Sequence, residues 1–302
     1  MSEPLPYYYR AYGLNIVSEI PVTGFQVVEK ILPPDVTIKE GVVPDQIDPV
    51  INEGVLFQSN DHEYLLKVDT VASYYVKNGN EITVQMNKDC SIHEVSAFLI
   101  GSAFGAVIHQ RRLLPLHAST VVYKNKCLVF MGISGAGKTT LAAALIRKGA
   151  LFVADDISVI DFSGRRPAVI PAFPSIKIWK DSLKHLQIEN SGLHKVRDEL
   201  EKYYLPVENY VNSSQRVDML FALSTHNKNE LVINAVEGID KFQLVKRHTY
   251  LFRGIPKTGL EINHFEQVTR LIRDIHLYRV IKPDTGFDTD AIIGAISGML
   301  HE

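Results

Sequence analysis

The feature that most constrains this chain of 302 residues is the segment GISGAGKT, which begins at Gly132 and fits the pattern G-x-x-x-x-G-K-[ST]. Glycines let backbone amides converge on phosphate oxygens, and a helix that follows such a loop adds positive potential at its N-terminus. In this pattern Lys138 contacts the β- and γ-phosphates and the Thr139 hydroxyl binds Mg²⁺. The motif predicts a loop that binds a nucleoside triphosphate, lined by Gly132, Ser134, Gly135, Ala136, Gly137, Lys138, Thr139 and Thr140.

The residues on either side of this loop have the patterns of strands and a helix. Cys127–Met131 is apolar and predicts a strand, while Thr139–Lys148 consists of good helix formers and is followed by Gly149. Two further strand patterns come next, at Leu151–Ala154 and Ile157–Asp161. Strand, glycine loop, helix and strand in this order predict a βαβ unit whose strand ends share one edge of a parallel sheet. This context favours a phosphate-binding loop over a glycine turn that only joins two elements.

Two carboxylates, Asp155 and Asp156, come directly after the strand pattern Leu151–Ala154. Side chains alternate along a strand, so the two carboxylates point in different directions unless the strand ends before them. Phosphoryl transfer needs a metal ligand and a base that takes the proton of the incoming hydroxyl or water. We therefore expect the two residues to have different roles at this edge. The alternative is a solvated strand end.

Two more side chains are candidates for the same chemistry. His117 lies in the strand pattern Leu116–Tyr123, where a histidine is more often a hydrogen-bonded core residue than a catalytic one. Arg279 follows Leu277 and Tyr278. A late cationic side chain often stabilises the charge on the γ-phosphate, which makes Arg279 a candidate for that role. Its alternative is a surface arginine near a helix end.

The remainder of the chain predicts two domains of an α/β protein. Residues 1–112 alternate short β-rich runs with turns, among them a predicted hairpin turn at Asn78–Asn80, and the capping box Ser91–Glu94 then begins a buried helix. Residues 113–302 contain the phosphate-binding loop. We expect a smaller, mainly β N-terminal domain followed by a P-loop domain. In the second domain the sequence predicts a mobile surface loop at Glu189–Arg216 and helices at Glu266–Leu277 and Thr289–Leu300.

Composition excludes several classes of partner. Thirty-two Lys and Arg against 34 Asp and Glu give a net charge of -2, which argues against general nucleic-acid binding. The N-terminus lacks the pattern of a signal peptide, and the longest apolar stretch, Val95–Ile108, is too short to cross a bilayer. The two cysteines lack CxxC spacing. These features predict a cytoplasmic protein that binds neither nucleic acid nor membrane.

The segment LHASTVVYKNKCLVFMGISGAGKTTLAAALIRKGALFVADDISVI resembles the core of the HPr kinase/phosphorylase family, and the similarity is clear over Leu113–Asp161. The resemblance implies a P-loop kinase fold, similar to that of phosphoenolpyruvate carboxykinase. It also implies ATP and Mg²⁺ as cofactors and a serine of a protein as the phosphate acceptor. For individual residues it implies that Lys138 contacts phosphate, Thr139 binds Mg²⁺, Asp155 is the base, Asp156 assists the metal and His117 lies beside the phosphates.

One departure from the family pattern concerns the segment after the two aspartates. The family has an EIRGLG-type segment with an acidic metal ligand, whereas this chain has VIPAFPSIKIWKDSL in that region. The segments IKIWKDSL and LYRVIKPDTGF look like those of divergent HPr-kinase-like proteins of bacterial gene clusters, some of which phosphorylate a serine of a lasso-peptide precursor. The resulting hypothesis is an ATP-dependent serine kinase that acts on a protein or ribosomal peptide. The alternatives are a hydrolytic P-loop NTPase and a non-catalytic nucleotide sensor, and a homo-oligomer is left open.

Overall fold

The computed structural model describes residues 6–30, 33–197, 199–284 and 288–300. The chain forms two compact units, each built from more than one stretch. The first unit holds the chain up to Pro115 together with His194–Lys202 and Tyr250–Glu266, and the second holds Leu116–Leu193, Tyr203–Thr249 and the chain from Gln267 onward. The domain division at residue 112 stays a prediction. It does not include the two later stretches that the first unit contains, His194–Lys202 and Tyr250–Glu266.

The first unit contains a nine-stranded sheet with the strand order β3-β1-β2-β4-β9-β8-β7-β6-β5. Alternating burial along β2 and β8 shows that one face of the sheet covers a core. Asn78 and Gly79 join β8 to β9 with φ of 53° and 65°, as the predicted hairpin turn requires. The strands are β1 (Tyr7–Ala11), β2 (Leu14–Ser18), β3 (Gln26–Val27), β4 (Val36–Glu40), β5 (Asn52–Glu53), β6 (Phe57–Ser59), β7 (Glu63–Val68), β8 (Ala72–Lys77) and β9 (Glu81–Met86).

A long apolar helix follows the last of these strands. It consists of α1 (Ile92–Phe98), a π-helical segment (Leu99–Ala103) and α2 (Phe104–Gln110). The backbone N–H of Glu94 donates to the Ser91 hydroxyl at 3.2 Å, so the predicted cap is confirmed. The helix packs against β7 and β8. The expectation that this stretch is too short to cross a membrane is wrong, because the helix extends over Ile92–Gln110 and is long and apolar enough by length and composition. Two thirds of its apolar window is, however, buried within the protein, as in a core helix. The predicted cytoplasmic location stays a prediction.

The second unit is built on a mixed sheet with the order β10-β14-β15-β18-β12-β11-β13, in which β20 pairs with β18 and β19. β12 is parallel to β18, and β18 is parallel to β20. β11 lies between β12 and β13 and is antiparallel to both, so β12 and β13 run in the same direction. Their carboxyl ends therefore share one edge, as expected, although the sheet is mixed rather than parallel. The strands are β10 (Leu114–Leu116), β11 (Ala118–Tyr123), β12 (Lys126–Gly132), β13 (Leu151–Ala154), β14 (Ser158–Asp161), β15 (Ala168–Ile170), β18 (Gln215–His226), β19 (Val232–Val236) and β20 (His276–Pro283).

The structure corrects two expectations about the C-terminal half. A helix is present where one was predicted, but α6 covers Leu260–Arg273 instead of Glu266–Leu277, and the chain then enters strand β20. The segment predicted as a mobile loop contains β17 (Lys202–Pro206), which pairs with β16 (Ser175–Trp179) in a separate two-stranded sheet. The other helices are α3 (Lys138–Arg147), α4 (Lys180–His185), α5 (Ile239–Arg247), a 3₁₀ turn (Phe252–Gly254) and α7 (Thr289–Met299). The α/β class, with a β-rich N-terminal unit and a P-loop unit, is confirmed.

Candidate active site

The glycine loop joins β12 to α3 and is open to solvent at Ile133, Ser134 and Gly135. Gly135 and Gly137 have φ of 83° and 92°, which is the left-handed region that glycine enters without steric cost. Gly137 is the N-cap of α3, and its helix end has no side-chain cap. The first turn of α3 can therefore present its amides to an external acceptor, as in an anion-binding helix end.

The loop is held on the sheet by a close approach of β12 to β18. A Cβ atom on Gly132 would lie 2.8 Å from the Leu223 carbonyl oxygen and 3.0 Å from the Ala136 Cβ. Only glycine fits this position. At the other side of the loop, the Thr140 hydroxyl lies 2.8 Å from that of Ser182 in α4, so this predicted loop residue contacts a neighbouring helix.

Lys138 is buried, and its ammonium group lies among hydrogen-bond acceptors. Nζ donates to the carbonyl oxygens of Gly132 at 2.9 Å and Ile133 at 3.1 Å, and to Nε2 of His117 at 3.0 Å. In the matching tautomer, Nδ1–H of His117 donates to the Asp156 carbonyl oxygen at 3.0 Å. Burial lowers the pKa of His117, and the positive charge of Lys138 lowers it further. His117 is therefore a neutral acceptor beside the lysine at pH 7.

Asp155 is a buried carboxylate whose two oxygens are both hydrogen-bonded. Oδ1 accepts from the hydroxyls of Ser119 at 2.6 Å and Thr139 at 2.9 Å, and Oδ2 accepts from the backbone N–H of Lys177 at 2.9 Å. Because the Thr139 hydroxyl gives its hydrogen to Asp155, its oxygen lone pairs are directed elsewhere. Asp155 thus orients the hydroxyl that the loop motif assigns to Mg²⁺.

Asp156 has different surroundings. β13 ends at Ala154, and Asp156 has φ of 68°, a left-handed conformation that is uncommon for a non-glycine residue. The alternation of side chains along the strand therefore does not continue to Asp156. Its side chain is 20% exposed, and Oδ2 accepts from Nζ of Lys177 at 2.9 Å. Oδ1 lies 3.7 Å from Nδ1 of His117. The two carboxylates therefore have separate environments, although Lys177 contacts both.

Sequence reasoning missed two members of this cluster, Lys177 and His248. Lys177 lies in the middle of β16 and is buried, yet its strand has no motif that marks a functional residue. His248 accepts at its carbonyl oxygen from the backbone N–H of His117 at 2.7 Å. Burial lowers the pKa of His248 to about 4, with a further contribution from the charge of Lys138. No local pattern in the sequence identifies either residue, because both reach the site through contacts with residues distant in sequence.

Arg279 is the predicted site residue that lies apart from this cluster. It pairs with Ala222 of β18, which pairs with Met131 of β12, so it is level with the loop but two strands away from β12. Two strand spacings are about 10 Å. Within the described residues, no hydrogen bond or ion pair joins Arg279 to the loop. Its role as a charge stabiliser stays a prediction.

The oxygen ligands at this edge suit Mg²⁺ bound together with phosphate. Within the part of the chain that the structure describes, no group of three or more His, Cys, Asp and Glu side chains could hold a metal ion by itself. Mg²⁺ commonly uses one or two carboxylates with substrate phosphates and water rather than an all-protein cage. The Thr139 hydroxyl and the carboxylates of Asp155 and Asp156 provide that type of site.

Comparison with known proteins adds little to this geometry. No protein-family model matches the chain, and no curated protein matches it. Among solved structures, the chain is similar to the HPr(Ser) kinase/phosphatase from Coxiella burnetii, with 13% sequence identity and a TM-score of 0.35. The match covers 62% of this chain and 90% of that chain. A likeness at this level transfers no residue role.

Proposed function

We propose that this protein transfers the γ-phosphoryl group of ATP, bound with Mg²⁺, to a serine hydroxyl of a protein or ribosomal peptide. The observation that carries the proposal is the pair of carboxylates beside the glycine loop. One accepts hydrogen bonds at both oxygens and orients Thr139, while the other is partly exposed. A phosphoryl transferase needs these two kinds of carboxylate, one for the metal and one for the proton of the acceptor.

The surroundings of the two carboxylates favour roles opposite to those expected from the family resemblance. Asp155 is 4% exposed and its oxygens hold three donors, which leaves it poorly placed to receive a proton. Asp156 has the greater exposure, and its partner at Oδ2 is a flexible lysine ammonium that can move away. We propose Asp156 as the base and Asp155 as the residue that supports the metal side. Asp155 as base is the alternative that the variants below test.

The reaction then has a simple balance. The acceptor O–H bond breaks and its proton passes to Asp156, the oxygen forms a bond to Pγ, and the bond between Pγ and the bridging β,γ-oxygen breaks. The nucleoside diphosphate leaves with the electron pair of that bond. Loop amides and Lys138 stabilise the charge on the phosphates, after Lys138 leaves its carbonyl partners. When bound, Mg²⁺ neutralises part of this charge as a Lewis acid.

The test is transfer of labelled γ-phosphate from ATP, with Mg²⁺, to serine peptides encoded beside the gene. Asp156→Asn is expected to lower kcat by roughly 10²- to 10⁴-fold, the usual contribution of a general base, with nucleotide affinity changed by less than about threefold. Asp161→Asn is the matched control, because Asp161 also ends a strand of this unit, but in the described structure its carboxylate accepts only from Ser163.

Three results would contradict the proposal. Equal rates of phosphate release with and without acceptor would indicate a hydrolytic NTPase. Tight ATP binding without transfer or release would indicate a nucleotide sensor. Full activity of Asp156→Asn would remove this residue from the role of base.

A further inference from the structure

The two-stranded sheet of β16 and β17 has one apolar face and one polar face. Ile176 and Ile178 of β16 and Tyr203 of β17 belong to the hydrophobic core of the second unit. Side chains alternate along a strand, so Lys177 and Tyr204 project from the opposite face. Each is the central residue of its strand. This small sheet thus turns an ammonium group and a phenol toward the candidate site.

Lys177 ties this polar face to both carboxylates of the site. Its backbone N–H bonds to Asp155 and its Nζ bonds to Asp156, each at 2.9 Å. Tyr204 lies close enough to interact electrostatically with Lys177 and Asp156. Burial raises the pKa of Tyr204, the charge of Lys177 opposes that increase, and the charge of Asp156 adds to it.

The hydroxyl of Tyr204 has an unusual hydrogen-bonding environment. The residue is 6% exposed, and its Oη atom is buried without a hydrogen-bond partner in the described structure. A buried hydroxyl without a partner is unfavourable, and nearly all such groups in folded proteins are paired. Phenylalanine at this position would fill the same space without that cost. The presence of a hydroxyl at this position is therefore explained if it forms a hydrogen bond in another state of the site.

We propose that Tyr204 is a positioning residue, whose hydroxyl donates to Asp156 during phosphoryl transfer after Lys177 has moved from Asp156 to the phosphates of the nucleotide. This inference rests on the proposed function. The phosphates bring several negative charges to the loop, and Lys177 has a flexible four-carbon chain with three donors that can follow them. Its departure opens Asp156 to the acceptor hydroxyl, and Tyr204 then keeps the carboxylate oriented. Lys177 also supplies the cation over the phosphates for which the sequence suggested Arg279.

Kinetics of Tyr204→Phe test the inference. The variant is expected to lower kcat about tenfold or more, the effect of losing one hydrogen bond to a charged group, and to leave the KM for ATP within about twofold. Its thermal stability is expected to be unchanged or higher, because the lost hydroxyl has no partner in the resting protein as described. Tyr203→Phe removes the same atom from the core-facing side of the strand, and its kcat is expected to stay at the wild-type value. A wild-type kcat for Tyr204→Phe would overturn the proposal.

A second measurement does not depend on turnover. In protein labelled with ¹³Cζ-tyrosine, the Tyr204 resonance, assigned by its loss in Tyr204→Phe, is expected to shift when Mg²⁺ and a non-hydrolysable ATP analogue saturate the site. In Lys177→Gln it is expected near the shifted position without nucleotide, since Asp156 has then lost its ammonium partner. An unmoved resonance in the saturated wild-type protein would overturn the proposal.

The two measurements separate this inference from the proposed function. Failure of the wild-type protein to bind the analogue would refute nucleotide use, whereas the Lys177→Gln spectrum would still report the contact of Tyr204 with Asp156. A shifted Tyr204 signal in a protein that binds the analogue and transfers no phosphate would refute phosphoryl transfer alone.

Discussion

Replacement of Asp155 by asparagine reverses a hydrogen bond at the metal side of the site. In the native protein, Oδ2 accepts from the Lys177 backbone N–H and Oδ1 accepts from the hydroxyls of Ser119 and Thr139. In Asp155→Asn the carbonyl oxygen must face the Lys177 N–H, because two donors cannot face each other. The NH₂ group then faces the two hydroxyls and donates to them. The Thr139 oxygen uses a lone pair for this bond, and its hydrogen is directed away from the side chain at position 155.

The expected changes in stability and in Mg²⁺ affinity follow from this exchange of donors. Every buried partner keeps a hydrogen bond, so the free energy of unfolding is expected to change by no more than about 1 kcal/mol. The main effect is on Mg²⁺ binding, since loss of a supporting hydrogen bond behind a metal ligand typically lowers metal affinity by about 10- to 100-fold. Nucleotide binding in EDTA is expected to be unchanged, and the Mg²⁺ concentration needed for half-maximal activity is expected to rise by that factor.

The assay is a displacement titration with a fluorescent nucleotide across a series of Mg²⁺ concentrations, combined with the activity at saturating Mg²⁺. Asp218→Asn is the control, because Asp218 accepts from the Cys127 backbone N–H at 2.8 Å near the start of β12, away from the loop. The reasoning is refuted if Asp155→Asn leaves the Mg²⁺ dependence unchanged and lowers kcat by about a thousandfold or more. That result would make Asp155 the base, as the family resemblance suggests.

Two further predictions concern stability. Gly132→Ala is expected to destabilise the protein by about 1–3 kcal/mol in urea unfolding, because its Cβ would lie 2.8 Å from the Leu223 carbonyl oxygen. The control is Gly294→Ala in α7, where a Cβ would have no atom within 4 Å, and it is expected to be neutral or stabilising. Equal unfolding midpoints for the two variants would contradict this explanation. His248 has a pKa of about 4 in the folded protein and about 6.5 when unfolded, so the unfolded state binds more protons between these values. The contribution of His248 to the free energy of unfolding is therefore full above pH 6.5 and falls by up to about 3 kcal/mol as the pH drops to 4. His248→Gln is expected to reduce the pH dependence of stability by about this amount, which urea titrations from pH 4 to 7 measure.

Sequence reasoning succeeds here where the determining interactions are local. The cap at Ser91, the turn at Asn78 and the end of α3 at Gly149 each depend on residues within one turn of each other, and the structure has all three. The loop from Gly132 is of the same kind, since its glycines and the following helix are contiguous. These elements were predictable because the backbone conformation that each requires restricts the choice of residue at that position.

Long-range pairing explains the failures. The strand His276–Pro283 was missed because its position between β18 and β19 is set by partners about 50 residues away, while its first residues continue the pattern of α6. Tyr204 lay in a segment whose charge suggested a mobile loop, although the pairing of β17 with β16 buries it. Lys177 reaches Asp156 across 21 positions of sequence. A residue whose function depends on such a contact leaves no local pattern.

The contact between Lys177 and Asp156 also bears on how one site can prevent wasteful hydrolysis. A carboxylate that is ion-paired at 2.9 Å is a weak proton acceptor, because the ammonium group stabilises its charged form. As long as Lys177 stays on Asp156, a water molecule beside the γ-phosphate lacks an effective base. If nucleotide alone displaces Lys177 from Asp156 in part of the molecules and the acceptor completes the displacement, full activation of the base is tied to binding of the correct substrate. Lys177→Gln is therefore expected to raise ATP hydrolysis relative to transfer, measured as the ratio of free phosphate to phosphopeptide, and a ratio at or below the wild-type value would exclude this coupling.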